Sequence, residues 1–168
     1  MCIRDSFETM KKVVQKIAEE LAGLDSAHAE AFRTNASTFS KELDALDTTA
    51  KAIAGEGKKY LSTEPVPDYL ISSTGAENAT PSEFAEAAEA GNDVPALVLK
   101  ETKDMVTEKK VQLLAYNEQT STSQTNEVLQ AAKDASVNYV SFTETLPENT
   151  NYLAWMKTNV SNLEKALS

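Results

Sequence analysis

Glu64 closes the run Tyr60-Leu61-Ser62-Thr63, and Glu144 closes Val140-Ser141-Phe142-Thr143. Between them in the chain, Asn117 and Gln119 follow a third apolar run, Leu113-Leu114-Ala115-Tyr116. Two carboxylates brought into one crevice repel each other unless a cation neutralises them. Such oxygen ligands suit Mn2+ or Zn2+ as part of a larger set, but two are too few for a tight transition-metal site. Asn117 and Gln119 could orient a ligating carboxylate by hydrogen bonding, or could only satisfy backbone groups of their own loop. Each glutamate also has a plainer reading, as the N-terminal cap of the proline-containing helix that follows it, worth ~1 kcal/mol to that helix.

The rest of the inventory narrows the chemistry. The 168 residues hold one cysteine, Cys2, and one histidine, His28, so there is no disulfide within the chain and no Cys/His zinc site. His28 falls in a strong helical pattern, where an exposed position is expected, and no G-x-S-x-G accompanies it. Neither G-x-G-x-x-G nor G-x-x-x-x-G-K-[ST] occurs, which leaves nucleotide binding without a motif. A net charge of −10 and a pI near 4.6 argue against nucleic acid and against an anionic membrane surface. No run approaches the ~18 apolar residues of a transmembrane span. Binding is therefore expected rather than catalysis; an acid–base pair made of Glu64 and Glu144 is the weakest of the readings.

These side chains need elements to carry them. A helical stripe runs through Met10, Val13, Val14, Ile17 and Leu21, and Gly23 is expected to end it. A second and longer stripe, Phe32, Ala36, Phe39, Leu43, Leu46, Ala50 and Ile53, predicts a helix from about 27 to 54, roughly 40 Å long at ~1.5 Å per residue. That exceeds what covers one sheet and suits a bridge between two lobes. After Gly55-Glu56-Gly57, short strands are expected at 58–63, 76–80, 111–116 and 138–143. Helices are expected between them and at the end: one opened by Pro65, others at 80–91, from Pro95 and at 121–135, and a last one over 147–167 with Trp155 and Met156 packed on the sheet. Alternating strands and helices give an α/β fold with a mainly parallel four-stranded sheet flanked by helices and preceded by a long bridging helix. In such sheets ligands sit at the carboxyl ends of the strands, where Glu64, Asn117, Gln119 and Glu144 all fall. Tyr69 and Phe142 beside them could serve the core or a pocket wall.

The same stretches carry a family resemblance. Thr63-Glu-Pro-Val-Pro-Asp-Tyr-Leu70, Leu113-Leu-Ala-Tyr-Asn-Glu-Gln-Thr120 and the block from Phe142 to Met156 resemble the corresponding blocks of substrate-binding proteins of zinc/manganese ABC transporters. The run from Leu24 to Leu46 resembles the start of that family's long inter-lobe helix. The resemblance extends in order from Phe7 to Leu167. It implies a cleft-type, extracytoplasmic protein, periplasmic or lipid-anchored, that hands a divalent metal to a membrane permease and works as a monomer. It further implies four metal ligands, two histidines from an N-terminal lobe and two residues from the C-terminal lobe. By position the third ligand falls on Glu64 and the fourth, often Asp in the family, on Glu144. Nothing in this sequence corresponds to the N-terminal lobe, its histidines or a signal sequence.

The division expected is therefore 7–54 for helices including the inter-lobe helix and 55–168 for the C-terminal α/β metal-binding lobe. Residues 1–6 stand apart. Met-Cys-Ile-Arg-Asp is the translation of ATG TGT ATA AGA GAC, the end of a transposase sequencing adapter whose last bases, AG, open the Ser6 codon. The hexapeptide is expected to be adapter read into a truncated gene. Half of a metal site without nitrogen ligands should bind Zn2+ or Mn2+ feebly or not at all. The alternative from another class is an acidic α/β surface adhesin or interaction module whose carboxylates are only caps.

Overall fold

The apolar runs become strands whose side chains alternate between two covered faces. The computed structural model describes residues 3–168; Met1 and Cys2, the start of the expected adapter sequence, lie outside the described residues. Four strands, β1 (Lys59–Ser62), β2 (Glu77–Asn78), β3 (Leu113–Asn117) and β4 (Asn138–Phe142), are all parallel and lie in the order β2-β1-β3-β4. Among the described residues seven α-helices accompany them: α1 (Phe7–Leu24), α2 (Ala29–Lys51), α3 (Asp68–Ser73), α4 (Ser82–Glu89), α5 (Ala96–Thr107), α6 (Ser123–Ala135) and α7 (Tyr152–Ala166). Parallel pairing requires crossovers, and α3 to α6 supply them.

Tyr60, Leu113, Ala115, Val140 and Phe142 point to one face, into a core completed by Leu43 and Ala50 of α2, Leu70 and Ile71 of α3, and Trp155, Met156, Val160 and Leu163 of α7. Leu61 and Leu114 point to the other, against Phe84 of α4, Val98 and Val106 of α5, and Val128 and Ala132 of α6. Central β3 is buried along its whole length, which is why its sequence is a continuous apolar run rather than an alternation. Edge strand β4 alternates instead: Tyr139 is 45% exposed, with the Lys133 ammonium 5.4 Å from its ring centroid.

Element boundaries moved where capping overrode the simplest signals. Gly23 lies inside the last turn of α1, which ends only when Asp25 N–H has closed on Leu21 O at 2.9 Å. The long helix is shorter than expected, 23 residues or about 35 Å. Residues 26–28 form a separate turn before it, and it stops at Lys51. The chain then approaches α3 so closely that a Cβ on Gly55 would lie 2.3 Å from Thr74 Oγ1, so only glycine fits. Pro65 and Pro147 do not open helices. α3 starts at Asp68, and α7 starts at Tyr152, where the Asn151 side chain accepts from Ala154 N–H at 3.0 Å. Residues 63–67 and 143–151 are left as loops at the carboxyl edge of the sheet.

α2 is docked unevenly. From Phe39 onward it packs on the sheet-side helices: the Phe39 and Tyr152 rings meet at a tilt of 41° with centroids 5.9 Å apart, and Leu43 and Ala50 are fully buried. Ahead of that point Phe32 and Ala36 share an open apolar groove with Val14, Ile17 and Leu21 of α1. Arg33 pairs with both carboxylate oxygens of Glu19 at 3.0 Å, and Lys11 with Asp44 at 2.6 Å, which fixes the register of the two helices.

The segment ahead of α1 is also docked. The Arg4 guanidinium lies 4.3 Å from the Trp155 ring centroid, and its carbonyl accepts from Tyr152 Oη–H at 2.6 Å. Asp5 is 3% exposed; its Oδ2 accepts from Leu70 N–H at 3.1 Å. Burial pushes the Asp5 carboxyl up from 3.8 to about 6, the backbone bond at Leu70 offsetting only part of the cost. Arg4 Nε and Nη1 and Asp5 Oδ1 are buried without a partner.

Candidate metal centre

The strand ends meet around one side chain. Thr63 prolongs β1: its N–H donates to Ala115 O at 2.9 Å, and its Oγ1 accepts from Asn117 N–H at 2.9 Å. On the other flank Glu118 N–H donates to Phe142 O at 3.2 Å, prolonging the β3–β4 ladder. Glu64 and Glu144 therefore leave the sheet on either side of Asn117. The Asn117 side chain is 3% exposed, and its Nδ2 lies 2.9 Å from Glu64 Oε2, 2.8 Å from Glu144 Oε1 and 2.7 Å from Thr120 Oγ1. Since both carboxylate oxygens touch one nitrogen, no more than about 5.7 Å separates them.

Neither glutamate caps a helix; the capping reading is corrected by the side-chain bonds just described. The two roles left open for the amides divide between them. Asn117 orients the carboxylates, while Asn117 Oδ1 accepts from Gln119 N–H at 3.1 Å to hold the turn. Gln119 organises backbone: its Oε1 accepts from Glu144 N–H at 2.7 Å and Thr145 N–H at 3.1 Å, and its Nε2 donates to Thr145 Oγ1 at 2.9 Å. Thr63 and Thr120 escaped the sequence reading. The only signal for Thr120 was its place three residues after Asn117 in the turn Asn-Glu-Gln-Thr, and it supplies a hydroxyl donor to Glu64 Oε1.

His28 is remote in role as well as sequence. It sits exposed in the turn before α2 with Nδ1 2.7 Å from Asp25 Oδ2. Phe142 belongs to the core under the site, Tyr69 is exposed, and Trp155 and Met156 are both buried in the core. Chemically, two carboxylates about one buried amide are oxygen donors of the kind a divalent cation accepts, and two are fewer than a tight site needs. Among the described residues no group of three or more His, Cys, Asp or Glu gathers that could hold a metal ion. No helix among those residues is long and apolar enough to cross a membrane.

The fold is shared with known metal-binding proteins. The chain aligns with the substrate-binding protein (SBP) FpvC of Pseudomonas aeruginosa, solved with Mn2+, at a TM-score of 0.73 and 22% identity, covering 96% of this chain and 60% of that one. It aligns with the periplasmic zinc-binding protein TroA of Treponema pallidum at 0.73 and 14% identity, covering 99% and 63%. The laminin-binding protein Lmb of Streptococcus agalactiae, described as a bifunctional protein with adhesin and metal-transporting activity, aligns at 0.68 and 21%, covering 90% and 58%. The chain thus spans about 60% of the length of these neighbours. Comparison with curated protein sequences gives no match. The profile of one family covers residues 6–166, nearly the whole sequence. The chain belongs to the family of the periplasmic zinc-uptake complex component A, ZnuA.

Proposed function

We propose that this chain is the C-terminal lobe, with the inter-lobe helix α2, of an extracytoplasmic binding protein. It captures a divalent transition metal, Zn2+ or Mn2+, for a membrane permease of an ABC transporter. The observation that carries this is the Asn117 carboxamide shared by Glu64 and Glu144, the two positions where the family resemblance puts metal ligands. Glu64 and Glu144 ligate; Asn117 sets their spacing; Gln119 fixes the backbone that presents Glu144. The uneven docking of α2 supports its bridging role, since ahead of Phe39 it shares an open apolar groove with α1. The protein binds its metal without chemistry on it and acts as a monomer.

The metal test uses the full-length gene product. Zn2+ and Mn2+ should raise its thermal stability, and Glu64→Ala and Glu144→Ala should each weaken binding. An absence of metal-induced stabilisation would sink the transport reading. It would favour the second, a surface adhesin, which has the laminin-binding neighbours on its side. The 168-residue chain itself should bind metal only feebly; sub-micromolar binding abolished by Glu64→Ala would overturn its description as half a site.

The adapter origin of residues 1–6 is likewise proposed. Arg4 and Asp5 supply three of the five partnerless buried side-chain atoms among the described residues, as expected of residues not selected for this place. The genomic sequence upstream of Phe7 decides it; an in-frame native start codon near Phe7 would be fatal to the idea.

A further inference from the structure

The hydrogen bonds around Asn117 are unequal, and the inequality has a direction. Glu64 is held at both oxygens: Oε2 by Asn117 Nδ2 at 2.9 Å, and Oε1 by the Thr120 hydroxyl. Its carbonyl also accepts from Ser62 Oγ–H. Glu144 has its backbone fixed by Gln119, but among the described residues its carboxylate is held by one bond only, from Asn117 Nδ2 to Oε1 at 2.8 Å. Proton counting makes that bond replaceable. The Thr120 hydroxyl has one hydrogen, donated to Glu64, so towards Asn117 it can only accept. Asn117 Nδ2 has two hydrogens and three acceptors in reach: Glu64, Glu144 and Thr120. If Glu144 turns away, both hydrogens still have partners in Glu64 and Thr120, and no buried donor is orphaned. If Glu64 turns away, Thr120 loses its acceptor and the buried amide loses a charged one, which is the costly kind of unmaking.

The geometry points to an ordered capture, in which Thr120 and Asn117 clamp Glu64 as the fixed ligand and Glu144 is the ligand that swings from the amide onto the arriving cation. Asn117 is then the neutral donor that holds Glu144 in the metal-free site, and Thr120 a positioning residue, since it limits where Glu64 can follow a cation. The inference rests on reading Glu64 and Glu144 as metal ligands.

The experiment is a Zn2+ titration of the full-length gene product, followed by the 13C resonances of glutamate carboxylates and the Asn117 side-chain 15N–H2 signals. The Zn2+ affinities of Thr120→Val and Thr120→Ser are measured alongside. Expected are a large shift of the Glu144 carboxylate with loss of its bond to Asn117, and persistence of the Glu64–Asn117 bond. Thr120→Val should lower affinity about three- to tenfold, with Thr120→Ser restoring it. Chemical-shift dispersion of Thr120→Val in the absence of Zn2+ establishes that it is folded; should it unfold, the wild-type carboxylate shifts decide alone. If neither carboxylate responds to Zn2+, the ligand reading falls and the inference with it. If both respond, but together, or if folded Thr120→Val binds like wild type, the ligand reading stands and the ordered capture is overturned.

Discussion

Two buried polar clusters in this molecule answer the same problem differently. Around Asn117 at the carboxyl edge of the sheet, the buried amide has all its groups bonded, and the charges it meets belong to half-exposed glutamates. Around Asp5 at the N-terminal end, a carboxylate is taken almost wholly out of water with one oxygen bonded and one not, beside a guanidinium with two unpartnered nitrogens. The first arrangement keeps charge at the surface and uses a neutral amide inside. The second buries the charge itself, and its cost is visible in an Asp5 pKa of about 6. Polarity in a core is tolerable in proportion to the bonds that meet it.

The largest blow to the first cluster is Asn117→Asp. The change is isosteric and keeps the acceptor for Gln119 N–H, but removes both donor hydrogens and adds a third carboxylate to two. Two charge-assisted bonds at ~1.5–3 kcal/mol each are lost or reversed, so urea unfolding at pH 7 should show a loss of about 3 kcal/mol. The loss should shrink as pH falls and one of the three acids takes up a proton. A variant as stable as wild type at pH 7 would mean the shared amide contributes nothing.

The second cluster should respond with the opposite sign. Asp5→Asn keeps an acceptor for Leu70 N–H and removes the buried charge. The folded state holds the Asp5 proton up to about pH 6 and the unfolded chain only to about 3.8, so wild-type stability from this group falls as pH rises between those values. At 1.36 kcal/mol per pH unit the full linkage approaches 3 kcal/mol, and with some access of water we expect Asp5→Asn to gain about 2 kcal/mol at pH 8. The gain should vanish by pH 3.5. Paired melts of wild type and variant at the two pH values measure the difference directly, and a gain independent of pH would assign it to something other than the charge.

Tyr152→Phe tests how firmly the N-terminal segment is docked. It deletes the bond to Arg4 O while leaving the ring against Phe39 and Trp155. A loss of about 1 kcal/mol in thermal unfolding is expected, the usual worth of one neutral hydrogen bond, with faster amide exchange confined to residues 3–6.

The contrast also shows what sequence could disclose. Runs such as Leu113–Tyr116 announce strands because both faces of β3 are covered, and polar residues at their ends announce a site because parallel sheets present ligands there. That Glu64, Asn117, Gln119 and Glu144 come together at one sheet edge was legible for that reason. Thr120 was not, because a threonine in a polar turn looks alike whether its hydroxyl faces water or a carboxylate. Prolines 65 and 147 misled because proline suits loops as well as first turns, and the loops here are the segments that deliver the glutamates. The docking of Arg4 on Trp155 joins residues 151 positions apart, beyond any local pattern.

The smallest effect discriminates most sharply. Gln119→Glu is the same chemical exchange as Asn117→Asp, amide for acid, two positions along the same turn. Yet Gln119 uses its oxygen, not its nitrogen, for the backbone: Oε1 accepts from the N–H groups of Glu144 and Thr145. A carboxylate accepts those bonds at least as well. The one donation lost, from Nε2 to Thr145 Oγ1, can be reversed because a hydroxyl also donates. The added charge lies in an exposed turn, screened by solvent, so stability at pH 7 should change by no more than about 0.5 kcal/mol, less still in 0.5 M salt. Side by side in urea, the two isosteric exchanges should differ about sixfold in cost. If they cost the same, charge near the site governs both, and donor direction at Asn117 is not what holds the two glutamates together.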